Sequence, residues 1–455
     1  MTARKRAYVE TYGCQMNISD GELMGGVLTS HGYEMVDRPE EADVVLVNTC
    51  AVREHAEQRV LGRVAQLNGL KESRPGMVLG VTGCMAQRMG KDLLRKAPWV
   101  DLVLGPDGYR SLPDALRRLD PEAESTKGGG GRTGLTVLTL DPRESYEGLE
   151  PRRGSSVSAW VSIQRGCDHR CTFCIVPHVR GPEKNRDPQA VLEEVRSVAR
   201  EGITEVTLLG QTVNSYRSGE WSFPRLLRAV ARTPGIRRVR FTSPHPNDVT
   251  PELAEVMAGE EAVCEQLHLP LQAGSDRTLK RMLRRHTVAQ FLEKVAMLRE
   301  AMPDMALSTD LIVAFPGETE EEFQDTLDVV REVRFDEAFT YRYSPREGTP
   351  ATRLPREDLV PPREGQERLE RLIRLTRRIQ GEINRGEVGR VEEVLVEKRG
   401  KEPDHMLGRT RRGKVAAFPG GQELLGRYLE VKLTRTTGAT FGAVPYLEPA
   451  AAEVP

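Results

Sequence analysis

GCDHRCTFC, residues 166–174, sets three cysteines at spacings of four and three directly after SAWVSIQRG (158–166), a run with the composition of a β-strand. The chain has 7 cysteines in 455 residues, so three in one short loop is not random scatter. The odd count argues against a disulfide framework. The basic start MTARKRAYVETYG has no apolar signal core, so a cytoplasmic, reducing setting is expected. Two metal readings stay open. Zinc would need a fourth ligand, and His169 or His178 could supply one. A four-iron cluster on three thiolates would leave one iron open to a chelating small molecule. The loop's place at the C-terminal end of a strand, where parallel barrels keep their chemistry, favours a reactive centre.

Outward from that loop the alternation of strand and helix runs for six units. After SAWVSIQRG the strand candidates are TEVTLLGQ, RVRFTSP, QLHLPLQ, ALSTDLIVAF and AFTYRYSP. DPQAVLEEVRSVAREG has Asp187 as cap, Pro188 in its first turn and Gly202 as stop, and TEEEFQDTLDVVREV opens on Thr319. A partial (β/α)6 barrel over 157–382 is expected, including one long connecting helix, PPREGQERLERLIRLTRRIQGEINRG. Its apolar stripe is Leu369, Leu372, Ile373, Ile379 and Ile383.

Upstream, residues 7–105 read as a parallel α/β sheet. Its strands are RAYVETYGC, ADVVLVNTC, MVLGVTGC and VDLVLG, with helices at SDGELMGGVLTSHG (capped by Ser19 or Asp20) and REHAEQRVLGRVAQLN. Cys14, Cys50 and Cys84 each end a strand, so a parallel sheet would bring them to one edge as a second three-thiolate site. Taken singly, each also reads as a buried structural cysteine, as Cys264 in VCEQLHLP does. The expected units are 1–125, a linker at 126–156 containing STKGGGGRTG (125–134), the barrel with its helix at 157–382, an all-β barrel of about five strands at 383–447, and a tail at 448–455.

Hydrophobic content of 38% with 29% charged residues suits a folded chain, and no run of about eighteen apolar residues predicts a membrane span. A net charge of −1 neither demands nor excludes nucleic acid, so any polyanion needs a local basic surface. Arg409, Arg411, Arg412 and Lys414 flank one turn of the small β-unit, with Arg427, Lys432 and Arg435 further on. A solvated charged face is the plain reading; an RNA-binding surface is the functional one. Arg371, Arg374, Arg378 and Arg385 of the long helix could extend it.

The loop CxxxCxxC of Cys167, Cys171 and Cys174 resembles that of radical S-adenosylmethionine enzymes. YGCQMN (12–17), NTCAVRE (48–54), TGC (82–84), LLGQTVNSY (208–216), HLPLQAGS (268–275), FPGETEEEF (315–323) and YSPREGTPA (343–351) resemble the methylthiotransferases. GCQMN and NTCAVRE are most similar to the branch that acts on N6-prenyladenosine in tRNA. MLGRTRRGKVAAFPG (406–420) resembles the TRAM domain, an RNA-binding module. VPHVRGPEKNR (176–186), Thr212 and Ala273 depart from the commoner family pattern.

The resemblance implies two [4Fe-4S] clusters, one on Cys167, Cys171 and Cys174 with S-adenosylmethionine, and an auxiliary one on Cys14, Cys50 and Cys84. It implies reductive cleavage of S-adenosylmethionine to a 5′-deoxyadenosyl radical, and addition of sulfur and methyl at C2 of the prenylated adenosine beside the anticodon. The implied partners are a tRNA anticodon stem-loop, an electron donor such as flavodoxin or ferredoxin, and a sulfur or cluster donor. Candidates for holding S-adenosylmethionine are the strand-end residues Gln211, Ser243, Gln272 and Asp310, each of which could instead cap a helix. The rivals are the same chemistry on a ribosomal protein side chain or threonylcarbamoyladenosine, and a non-catalytic zinc-bearing RNA-binding protein.

Overall fold

VVLVNT at 44–49 is apolar on both sides of its pleat, and such a run is stable only when covered on both faces. In the computed structural model, which describes residues 4–51, 54–120 and 134–446, all six residues are buried. The strands of this region are β1 (Arg6–Tyr12), β2 (Glu34–Met35), β3 (Val44–Thr49), β4 (Val78–Gly83), β5 (Leu102–Leu104) and β6 (Leu135–Val137). They form one parallel sheet in the order β2-β1-β3-β4-β5-β6. Leu23, Met24, Leu28, Leu112 and Leu116 cover one face. Val60, Val64, Leu67, Met85 and Leu93 cover the other.

Two expectations change here. The helix predicted to open at Ser19 or Asp20 begins at Gln15, with Cys14 as its N-cap, and buries both of those residues. Gly13, at φ +143, turns the chain out of β1 earlier than a Ser-Asp cap would. The stretch expected as a linker from 126 to 156 joins the first domain from Gly134 onward. β6 pairs with the edge left by β5, and Tyr146 stacks on Tyr109 at 5.6 Å, because Leu135, Val137 and Tyr146 have apolar surface to cover. The Gly-rich connector before Gly134 and the tail 448–455 lie outside the described residues.

The central domain starts with β7 (Ser158–Ser162) and the short antiparallel pair β8 (Gln164–Arg165) and β9 (Lys184–Asn185). There follow β10 (Glu205–Leu209), the hairpin β11 (Arg217–Ser218) and β12 (Trp221–Ser222), β13 (Arg238–Phe241), β14 (Gln266–His268), β15 (Ala306–Val313) and β16 (Glu337–Arg342). β7, β10 and β13 form one parallel sheet and β14, β15 and β16 another, joined through a parallel bridge between Val239 and Val263. Among the described residues β7 and β16 do not pair, so six strands make the expected partial barrel, open on one side.

The outer helices bury apolar stripes, including Val191, Val195, Leu226, Phe291, Phe323 and Val330. Asp187 caps its helix by accepting from the Gln189 and Ala190 amides, and Thr319 forms a capping box with Glu322. The long helix Pro362–Glu387 lays Leu372, Leu375 and Ile379 on the same core.

β17 (Val391–Arg399), β18 (His405–Thr410), β19 (Val415–Pro419), β20 (Tyr428–Thr436) and β21 (Thr440–Pro445) close the small barrel in the order β17-β18-β19-β21-β20. Phe418, Phe441, Val394 and Leu433 fill it. The β18–β19 turn reaches the N-terminal end of the open barrel. There Arg240 Nη1 and Nη2 each donate at 2.8 Å, to the carbonyls of Arg411 and Thr410. Arg238 Nη1 donates to the Arg409 carbonyl at 2.8 Å.

Candidate functional site

The first triad hangs between β8 and β9. Gly166, at φ +74, makes the turn possible: a Cβ there would lie 1.9 Å from the Pro182 carbonyl oxygen. The Cys167 amide then donates to the Gly181 carbonyl and the Cys174 amide to the Cys171 carbonyl. Thr172 pins the loop's centre through its amide to Met282 O and its hydroxyl to Arg281 O.

Cys167 and Cys171 are buried and Cys174 is half-buried. Burial pushes the Cys167 thiol up to about 11 and the Cys174 thiol up to about 12, with the neighbouring thiols adding to the rise. Thr212 Oγ1 stands 3.8 Å from Cys167 Sγ and Arg284 Nη1 stands 3.7 Å from Cys171 Sγ, both as donors. Thiols crowded in a dry site with donors aimed at sulfur suit a soft metal cluster. His169 is engaged elsewhere. Its ring lies parallel to that of buried His245 at 4.0 Å, with Nε2 3.6 Å from Asp248 Oδ2. It is committed away from the role of fourth zinc ligand, and His178 is exposed.

The second triad assembles as its strand ends require. Cys14 is the N-cap after β1, Cys50 follows β3, and Cys84 opens the helix Cys84–Met89 after β4. Cys14 and Cys50 stand side by side: a Cβ on Gly13 would lie 2.7 Å from Cys50 Cβ. The hydrogen bond with Cys50 is the main cause holding the Cys14 thiol down to about 6, and the charge of Arg180 adds to it. Asn17 and Asn48, inside the two cysteine motifs, tie these strand ends together. Asn48 Nδ2 donates to Asn17 O at 2.7 Å, and Asn17 Nδ2 donates to Thr49 O at 3.2 Å. Cys264 is buried, as an apolar residue would be.

The triads meet through the helix Val176–Arg180 that follows Cys174. Ile175 and Val179 pack with Ala51 and Cys84 in one buried apolar cluster. Beside it Asp20 is fully buried and receives Arg165 Nη2 at 2.6 Å and Arg180 Nη2 at 2.7 Å. The domain interface thus runs between the two sets of thiols. The site roles of Asp20, Arg165, Arg180, Asn17, Asn48, Thr212 and Arg284 were not anticipated from the sequence; all but Arg284 lie in or within a few residues of a quoted motif.

Gln211, Ser243 and Gln272 fall at the C-terminal edge of the barrel, as expected. Ser243 (φ +58), Gln272 (φ +77) and Ala314 (φ +58) hold left-handed backbone at three strand ends, a strain of about 1 kcal/mol or more each that clusters at functional edges. The Gln211 Oε1 atom is buried and has no hydrogen-bond partner among the described residues. Asp310 is not at a strand end: it sits mid-strand in β15, 3.3 Å from His268 Nε2. Leu307 and Leu311 turn to the helices, so Asp310 faces the open interior, as does Phe339, edge-on to His268.

The basic turn is corrected by the structure. Arg409 pairs with Glu397, Arg411 with Glu265, Arg412 with Glu387 and Glu392, and Lys414 with Asp336. Arg411, Arg412 and Lys414 are paired where the small barrel docks on the central domain, and Arg409 is paired within the small barrel, so the four do not form an open phosphate-binding set.

Comparison with known proteins agrees with this architecture. Residues 6–105 match the family described as "Uncharacterized protein family UPF0004", residues 161–330 the radical SAM superfamily, and residues 385–441 the TRAM domain. Among solved structures, a radical S-adenosylmethionine methyltransferase, TsrM, from Kitasatospora setae has a TM-score of 0.56 at 15% identity, covering 74% of this chain and 73% of that one. At that identity the likeness speaks for the fold alone. The tRNA-2-methylthio-N(6)-dimethylallyladenosine synthase of Moorella thermoacetica is 44% identical over 440 residues, spanning 95% of this chain and 96% of that protein. The enzyme of the same name from Carboxydothermus hydrogenoformans is 42% identical over 440 residues, spanning 95% and 97%. Matched end to end at that identity, with both cysteine triads in place, the chain belongs to the tRNA-2-methylthio-N(6)-dimethylallyladenosine synthase family of radical SAM enzymes.

Proposed function

We propose that this enzyme adds a methylthio group at C2 of N6-dimethylallyladenosine in tRNA, next to the anticodon. The carrying observation is the meeting of two three-cysteine sets across one domain interface, in a chain that resembles the named synthases over its whole length. The family's chemistry uses S-adenosylmethionine and a [4Fe-4S] cluster, which Cys167, Cys171 and Cys174 would hold. Cys14, Cys50 and Cys84 would hold the second cluster. Cys167, Cys171 and Cys174 would thus hold the group that provides an electron for S-adenosylmethionine cleavage, and Cys14, Cys50 and Cys84 the group at which sulfur would be held.

The chain's own residues frame that chemistry. Thr212 and Arg284 aim donors at the first triad's sulfurs. Gln211, Ser243 and Gln272 offer polar groups on the same edge for S-adenosylmethionine. Phe339, 41% exposed, offers a ring on which an unstacked base can lie beside His268 and Asp310. The β18–β19 turn docks at the opposite end of the barrel, held by Arg240.

For tRNA, Arg427, Lys432 and Arg435 are exposed and carry no ion pair among the described residues. They replace the turn cations as the phosphate-contacting set. An electron donor such as flavodoxin or ferredoxin and a sulfur donor complete the partners. A cytoplasmic site suits these thiols, and among the described residues no helix is long and apolar enough to cross a membrane.

Anaerobic purification with iron and sulfide analysis, then assay on tRNA carrying the prenylated adenosine, tests the proposal. About eight irons and a methylthio product are expected. Colourless, zinc-loaded protein with no product would overturn it.

A further inference from the structure

Arg180 closes the segment that carries the first triad, yet its side chain serves the second. Its Nε–H donates to Cys84 Sγ at 3.2 Å, and its Nη2 donates to Asp20 Oδ2 at 2.7 Å. Arg165, from the other side of the same loop, also spends its charge on Asp20, through Oδ1 at 2.6 Å. All three are nine-tenths or more buried: Arg180 4% exposed, Arg165 4%, Asp20 0%. Two guanidinium groups thus share one carboxylate, and the site keeps an excess of positive charge. Among the described residues the buried Arg180 Nη1 atom has no hydrogen-bond partner. One carboxylate for two buried guanidinium groups leaves a positive charge short of a counterion, which is disfavoured, and besides Asp20 the side chain of Arg180 donates to the thiol of Cys84.

We propose that Arg180 is a positioning residue for the second metal centre: it balances the net negative charge of a cluster held by Cys14, Cys50 and Cys84, and raises that cluster's reduction potential through the Nε–H···Sγ bond. This rests on the two-cluster reading given above. The physical basis is that donors and positive charge near a cluster's sulfurs favour the reduced, more negative state. Because Arg180 stands six residues after Cys174, the loop that binds one centre also sets the electronics of the other. The fully buried Asp20 holds the guanidinium in place; its carboxylate is also met by the Tyr109 hydroxyl at 3.3 Å.

The test uses the full chain with Cys167, Cys171 and Cys174 replaced by Ala, so that only the second triad can carry a cluster. It is reconstituted anaerobically with iron and sulfide and titrated electrochemically under EPR observation. Arg180→Met should lower the midpoint potential at unchanged iron content, and Arg180→Lys, which keeps the charge but not the Nε–H, should lower it less. Resonance Raman gives an independent reading on the milder variant: Arg180→Lys should move an Fe–S(Cys) stretching band to higher frequency as the sulfur loses its donor. Unmoved potentials and an unmoved band at full iron content would overturn the proposal alone. An Arg180-containing protein that takes up no iron would overturn the two-cluster reading and the proposal with it.

Discussion

Arg411 Nε lies 2.9 Å from Glu265 Oε2, so a guanidinium that looks in sequence like a handle for phosphate ends on a carboxylate of the neighbouring domain. Arg411 Nη2 also donates to the carbonyls of Glu261 and Val263. The turn is a dock between the small β-barrel and the N-terminal end of the larger one. A cluster of basic residues states how much charge is present; only its neighbours state whether that charge is spent.

Arg411→Ala should therefore destabilise the protein by about 2 kcal/mol, through a lost pair and two unsatisfied carbonyls. Thermal unfolding and limited proteolysis, with earlier release of the C-terminal barrel, read this out. A double-mutant cycle with Glu265→Ala should show coupling, and strictly additive effects would contradict the dock.

Replacing Arg427, Lys432 and Arg435 with Ala should flatten the salt dependence of tRNA binding by roughly one unit of slope per lost phosphate contact. Stability should change by less than about 0.5 kcal/mol per exposed site. In Arg411→Ala the salt slope should stay as it is. A reversed outcome would return the RNA surface to the β18–β19 turn.

The two triads should separate by mutation. Cys171→Ala should abolish formation of 5′-deoxyadenosine and cut bound iron by about half, if each centre is a four-iron cluster. Cys50→Ala should spare S-adenosylmethionine cleavage and stop methylthio formation. Mass spectrometry of the tRNA nucleosides checks both, and methylthio product from the Cys50 variant would contradict the division.

Glu318 gives a pH signature. Burial pushes its carboxyl up to about 7, against the pull of Arg368, whose charge is shared with Glu364 and Glu320. A folded-state value above the unfolded one means that the native protein binds the proton more tightly. The wild type therefore loses stability as pH rises from about 4.5 to about 7. Glu318→Gln should escape that loss and gain on the order of 2 kcal/mol relative to wild type across the window. Urea unfolding at several pH values measures it, and parallel curves for the two proteins would refute the assignment.

Asn48→Ala should cost about 1–2 kcal/mol, because Asn17 O loses its buried donor and the ends of β1 and β3 lose their cross-link. The same variant should lose iron from the second triad faster on chelator challenge, since Cys14 and Cys50 flank that link. Iron release matching wild type would show that the asparagines do not organise the thiols.

Much of this was legible along the chain. Period-2 and period-3.6 patterns marked the six strands of the open barrel and their helices, because each element buries its own stripe. The two cysteine triads could be read because a strand end and a loop spacing are local facts, and a parallel sheet carries strand ends to one edge. The helix start misread at Ser19 and Asp20 shows where local reading fails. Asp20 looks like a cap, yet its carboxylate belongs to Arg165 and Arg180, 145 and 160 residues away.

By itself, then, the sequence marked the alternation of strands and helices and the placement of the two cysteine triads, and its motifs carried the resemblance to radical S-adenosylmethionine enzymes. The tertiary structure alone decided which charges are spent at domain contacts, that Asp310 lies inside the barrel and not on its rim, and that Arg180 reaches from one triad to the other. The physical reason is one of range. Periodicity and spacing act within a turn or a strand, whereas the partner of a buried charge is chosen by how whole domains dock, and no local pattern carries that information.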